Sequence, residues 1–134
     1  MKMPDEIRDE FRTHAQNGRV GMTLVSETDR VRVWHIHARP GERLPVHRHQ
    51  LDYFWTIHAP GKARNYLEDG RVEDVTYETG DTQHFSFAQS EYMAHSLENI
   101  GDTDLIFTTV EYLDSANPPL PIERTSDEPA APAD

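Results

Sequence analysis

Residues 41–57 read Gly-Glu-Arg-Leu-Pro-Val-His-Arg-His-Gln-Leu-Asp-Tyr-Phe-Trp-Thr-Ile. In an extended chain, residues two apart share a face. His47 and His49 therefore point the same way, and their series continues through Leu51, Tyr53, Trp55 and Ile57. That series is otherwise apolar, so it faces inward. Two imidazoles entering an apolar interior need partners, because a buried polar group without one costs roughly 1–3 kcal/mol. A metal ion satisfies both at once. Hydrogen bonds among the histidines, or to water, are the alternative.

Outward from this stretch the chain alternates short β runs with turn signals. The runs expected to be strands are 19–26, 30–38, 51–58, 62–68, 71–77, 82–87, 93–99 and 104–112. Asp69-Gly70 favours a tight hairpin, since both central positions of that turn need φ > 0. Pro40-Gly41, Pro60-Gly61, Thr79-Gly80 and Ile100-Gly101-Asp102 mark other turns. Many short strands without helices between them predict an all-β sandwich or barrel.

The ends differ. Residues 4–17 predict a short helix, opened by Pro4 and stopped by Gly18, with Ile7, Phe11 and Ala15 on one stripe. Residues 114–134 hold five of the nine prolines, and from Thr125 onward carry no large apolar side chain. That composition predicts a disordered, solvating tail. The chain divides into a helical arm (1–18), a β-barrel (19–113) and a Pro- and acid-rich tail (114–134).

Charge and composition narrow the function. The 134 residues carry 24 acids against 13 bases, a net charge of −11. Such a surface repels phosphate backbones and anionic lipid, so neither nucleic acid nor membrane is an expected partner. With no cysteine, thiolate chemistry and Cys-type zinc sites are excluded. No apolar run approaches the roughly 20 residues that span a bilayer. Met1 to Glu10 lack the apolar core of a signal peptide, so a cytoplasmic location is expected. A small polar barrel leaves sheet face and edges uncovered, which predicts a homodimer.

Eight histidines occur, at 14, 35, 37, 47, 49, 58, 84 and 95. Trp34, Ile36 and Ala38 form the apolar set of their run, so His35 and His37 face away from the core. His14 and His58 read as surface and rim residues. His84, between Gln83 and Phe85, faces with Thr82 and Ser86; from there it either lines the cavity, as a proton shuttle or further ligand, or stands as a partly exposed strand residue.

The spacing Gly41-(five residues)-His47-x-His49 resembles the opening of the first motif of the cupin family. Gly80-Asp81, a β run and then His95-(three residues)-Asn99 resemble the second. The resemblance covers about residues 19–113. It implies a cupin-type double-stranded β-helix, or jelly-roll barrel, with His47, His49 and His95 as ligands of a divalent transition metal (Fe, Ni, Zn or Mn). The family's glutamate four residues after the second His is Tyr53 here, and Asp52 beside it points the other way. The Pro and Gly usual before the last His are also missing from Phe87–Ala94.

Three imidazoles without a carboxylate still suit Zn, Fe or Ni, and leave the metal its full double charge. That charge favours an anionic substrate such as an enolate or carboxylate. The resulting reading is a metalloenzyme of dioxygenase or isomerase type, acting on a small oxygenated molecule. Tyr53 and His84 are its candidates for proton transfer, and Phe54, Trp55 and Phe85 shape the pocket. The alternative is a non-catalytic cupin that binds a small ligand or metal as a sensor or accessory protein.

Overall fold

A computed structural model describes residues 2–132. Its elements are one helix, α1 (Asp5–Thr13), and nine strands: β1 (Thr23–Glu27), β2 (Val31–Ala38), β3 (Arg43–His49), β4 (Tyr53–Ile57), β5 (Gly61–Leu67), β6 (Val72–Tyr77), β7 (Thr82–Phe85), β8 (Met93–Asn99) and β9 (Leu105–Tyr112). They form two antiparallel sheets, ordered β1-β2-β9-β4-β7 and β3-β8-β5-β6. The core lies between them: Trp34, Ile36 and Phe107 from one sheet pack with Ala63, Tyr77 and Leu97 from the other. This is the all-β jelly roll that the sequence predicts.

Strand β3 is absent from the expected set. Pro45 interrupts its run, and a proline demotes a sequence from central strand. The structure absorbs it in a β-bulge: Leu44 pairs with Leu97 and His47 with His95, so Pro45 and Val46 together oppose Ser96. The extra residue reverses the phase of the strand. Leu44 faces inward, Val46 faces out onto α1, and His47 and His49 face inward again. Without the bulge, Leu44 inward would send both histidines out.

Helix α1 lies on the outer face of the four-stranded sheet, with Met3 and Ile7 packed against Val46 and Tyr66. The Glu10 carboxylate receives two guanidinium hydrogen bonds from Arg43, each 2.9 Å, and one from the Val46 backbone at 2.6 Å. The helix stops at Thr13, short of the expected 17. Asn17 accounts for this, because its side chain donates to the Val46 carbonyl (2.9 Å) and its own carbonyl accepts from the Arg48 N–H (2.8 Å). Residues 14–18 therefore run beside β3.

Residues 114–132 carry neither helix nor strand. Part of this stretch is nevertheless pinned. Glu128 takes two hydrogen bonds from Arg19 (2.7 and 2.8 Å) and one from the Leu24 backbone (2.6 Å), and Arg19 holds its carboxyl down to about 2. Asn117 donates to the Gln50 carbonyl (3.0 Å) and accepts from the Ser90 N–H (2.7 Å), which fixes a residue in the left-handed region, φ 72°. The segment expected to be solvating from Thr125 onward is thus tied to the barrel as far as Glu128. Residues 133–134 lie outside the described part of the chain.

Candidate metal centre

His47 and His95 are cross-strand partners on β3 and β8, and His49 follows His47 on the same face. One ring nitrogen from each lies within 4.8 Å of the others. His47 and His49 are buried, and His95 is half-buried. Burial pushes the His47 imidazole down to about 4, against a hydrogen bond to the Pro45 carbonyl that raises it. Burial, and then the neighbouring rings, hold His49 and His95 well below the ordinary histidine value. All three are neutral near pH 7, the state in which imidazole ligates a metal.

The hydrogen bonds orient the rings. A carbonyl only accepts, so His47 Nδ1 donates to Pro45 O at 2.8 Å and presents its Nε2 lone pair. His95 Nδ1 donates to Asn65 Oδ1 at 2.9 Å and does the same. The Nε2 atoms of His49 and His95 lie 3.1 Å apart, so one proton must sit between two atoms that both suit a cation. His49 Nδ1 is buried without a partner among the described residues. Outer partners on the far ring nitrogen, with lone pairs convergent on the near side, are the arrangement of metal-bound histidines. The donor set fits a divalent transition metal.

Asn65 is a residue the sequence reading missed, since nothing in its strand marks an amide among many as special. By fixing the tautomer of His95 it sets the ligand. Replacement Asn65→Leu is expected to weaken metal affinity about 10–100-fold, as loss of an outer-shell partner does. A titration with a competing chelator measures this, and an unchanged affinity would remove Asn65 from the site.

Tyr53 occupies the position where the resemblance places a carboxylate. Its ring is sandwiched, stacked on His49 at 4.1 Å and on Phe85 at 4.6 Å. Burial, with Glu111 nearby, raises its phenol far above the usual range. It stays protonated and can only donate a hydrogen bond. Asp52 is turned away, accepting from the Phe87 N–H at 3.0 Å. Of the two readings of His84, the structure gives the exposed strand residue and not the cavity-lining one. Phe85 pairs with Tyr53 and Gln83 with Trp55 on the inner face, so alternation puts His84 opposite Phe54 on the outside. There His84 is exposed, its ring 5.2 Å from Phe54. Phe54 leaves the pocket for the same reason, whereas Trp55 and Phe85 line it. His35 and His37 face away from the core as predicted, His37 2.7 Å from Asp104.

The three histidines open into a cavity of about 540 Å³ between the sheets, within the size range of small-molecule sites. Across the ladder from Tyr53 lies a second missed residue, Glu111, only 3% exposed. It accepts from Trp34 Nε1 at 2.7 Å, and burial pushes its carboxyl up to about 7. Its signal was the alternation Leu105, Phe107, Thr109, Glu111, which places an acid in an inward series.

No protein-family model matches the chain. Among curated proteins, oxalate decarboxylase OxdC of Bacillus subtilis (strain 168) is 32% identical over 77 residues, 56% of this chain. The match spans only 19% of that protein. Among solved structures, a cupin domain from Bordetella pertussis Tohama I superposes with a TM-score of 0.58 at 23% identity, covering 67% of this chain and 88% of that one. A double-stranded β-helix protein from Klebsiella pneumoniae subsp. pneumoniae MGH 78578 gives 0.54 at 26% identity, over 70% and 76% of the two chains. A cupin from Methanocaldococcus jannaschii gives 0.54 at 23%, over 67% and 76%. The paired sheets, the two motif regions and these superpositions agree: the described chain folds as a cupin-type double-stranded β-helix.

Proposed function

We propose that His47, His49 and His95 hold a divalent transition metal, and that the protein is a metalloenzyme of dioxygenase or isomerase type for a small oxygenated molecule. The observation that carries this reading is the convergence of three neutral imidazoles on one point of a cavity wall. When bound, the metal supplies Lewis acidity at a substrate oxygen. The chain's own residues then orient the substrate and exclude water, with Tyr53 donating a hydrogen bond beside the metal. The name of the curated relative gives oxalate as what that protein acts on; its match to this chain is too partial to carry the substrate over.

Metal content of untagged protein tests the reading. About one equivalent of transition metal is expected in the wild type and none in a folded His47→Ala/His49→Ala variant. No metal in either protein, after anaerobic loading with Fe(II), Ni(II) or Zn(II), sinks it. One observation favours the second reading, a cavity that binds without turnover: among the described residues, Tyr53 stays protonated and no carboxylate reaches the three histidines. Metal-loaded protein that binds ligand but neither consumes O₂ nor isomerises it would support that alternative.

We also infer a homodimer through the outer face of the five-stranded sheet. Val31, Val33, Phe54, Ile106 and Val110 stand on it, and the outward positions of β2, β4, β7 and β9 include no Asp, Glu, Lys or Arg. Its ionisable side chains are His35, His37, His84 and Tyr112. In a chain of net charge −11, strands that turn no carboxylate of their own outward, with Asp104 at the edge engaged by His37, are where two copies meet with least repulsion. Sedimentation is expected to give twice the chain mass for wild type and the chain mass for Val33→Glu. A wild-type monomer at high concentration removes the inference.

A further inference from the structure

We propose that the cavity selects an uncharged, largely apolar molecule bearing an oxygen donor, and rejects dicarboxylates and phosphorylated sugars. The oxygen donor rests on the three-His metal reading; the rejection of anions does not.

The wall contains no Lys or Arg among the described residues. The nearby bases are engaged elsewhere: Arg43 with Glu10, Arg64 with Asp74, Arg71 with Asp69 and Glu73, and Arg48 over the Tyr92 ring. The charged side chains that do border the cavity are acids, Glu73 and Asp81, both exposed at its mouth. An anion entering this space loses its hydration without gaining a cationic partner, a cost that burial makes steep. A bound metal compensates one end of a ligand only, so the anionic substrate expected from the metal's charge alone is not what the rest of the wall favours. The second carboxylate of a diacid, or a sugar phosphate, would face Ile57, Val75, Phe107 and the aromatic rings.

Those rings define what fits instead. Tyr53 and Phe85 are stacked, and Trp55 meets Tyr77 edge to face at 5.2 Å between centroids. Neutral polar side chains, Asn65, Thr76, Thr82, Gln83 and Thr109 among them, interrupt the apolar wall and can hydrogen-bond an uncharged ligand without offering it a cation. An apolar cavity of roughly 150 Å³ holds benzene. A space of about 540 Å³ therefore has room for a ring with substituents.

The chain carries its own reporter. Of its two tryptophans, Trp34 is fully buried in the core and Trp55 lines the cavity. Methyl benzoate and benzoate share a ring and differ in charge, so they are the probes, with succinate and glucose 6-phosphate beside them. In metal-free protein, methyl benzoate is expected to change the Trp55 emission and to bind at least about tenfold more tightly than benzoate. The signal is lost in Trp55→Phe while calorimetry still detects the ester. Val75→Lys, which adds a cation to the wall, is expected to reverse the preference. Equal or tighter binding of benzoate or succinate by the wild type overturns the proposal, as does failure of the ester to bind at its solubility limit. Repeating the titration with zinc separates the two readings. Selectivity that stands while zinc neither binds nor tightens the ester leaves the cavity assignment intact and removes the metal.

Discussion

Zinc at a hundred times its dissociation constant is expected to stabilise the fold by about 2.7 kcal/mol, raising the unfolding midpoint by roughly 5–10 °C. The same zinc is expected to leave His95→Gln unmoved. The reason is geometric. Three imidazoles already point one nitrogen each at a common space, with outer hydrogen bonds on two of them, so binding orders little that is not ordered already. The glutamine side chain of that variant keeps a polar partner for Asn65 and removes one of three donors. The control is the other His-x-His pair. His35 and His37 face outward, and His37 is engaged with Asp104. Zinc protection is therefore expected to survive in a His35→Gln/His37→Gln variant. Protection lost there and retained in His95→Gln would move the metal to the wrong sheet face and end the assignment.

Glu111→Gln is expected to make the protein more stable than wild type by about 3 kcal/mol at pH 8, and by only about 1 kcal/mol at pH 5. Burial raises the folded carboxyl to about 7, with the Trp34 hydrogen bond and Arg32 opposing and Glu27 assisting. The unfolded chain titrates near the ordinary glutamate value, about 4.3. Between those values the folded state holds a proton that the unfolded state has released, so wild-type stability falls as pH rises through that window. It levels off above about pH 7. Glutamine never ionises, and its carbonyl still accepts from Trp34 Nε1. Because the three histidines titrate in both proteins, their contribution cancels in the difference. Urea unfolding of the two proteins at pH 5 and pH 8 measures it, and a gap that does not depend on pH would show that Glu111 is not a buried, protonated acid.

Much of the barrel was legible along the chain. A turn at Asp69-Gly70 does join β5 and β6, but only Gly70 takes a positive φ (95°) and Asp69 does not, so the turn is not the two-residue type expected: Gly70 N–H donates to Leu67 O at 3.0 Å and Leu67 N–H to Arg71 O at 2.9 Å. The alternation Tyr53, Trp55, Ile57 does line the cavity, and Trp34, Ile36 and Ala38 do face the core. These features are local. Periodicity and turn chemistry act between residues a few positions apart, so a single stretch carries them.

What escaped the sequence depends on partners distant in the chain. Whether His84 or Phe85 faces inward is settled by pairing with β4, two strands back along the chain from its neighbour β6. Asn65 matters only because β5 lies beside β8 and His95. Glu128 looks like one acid of a solvated tail until Arg19 and the Leu24 amide close on it. The amino-acid sequence by itself determined an all-β chain with histidines at 47, 49 and 95 as its candidate ligands. Their meeting was decided by tertiary structure. Proline at 45 cannot complete a regular ladder, the bulge that accommodates it shifts the phase of β3 by one residue, and that shift turns His47 and His49 inward to face His95.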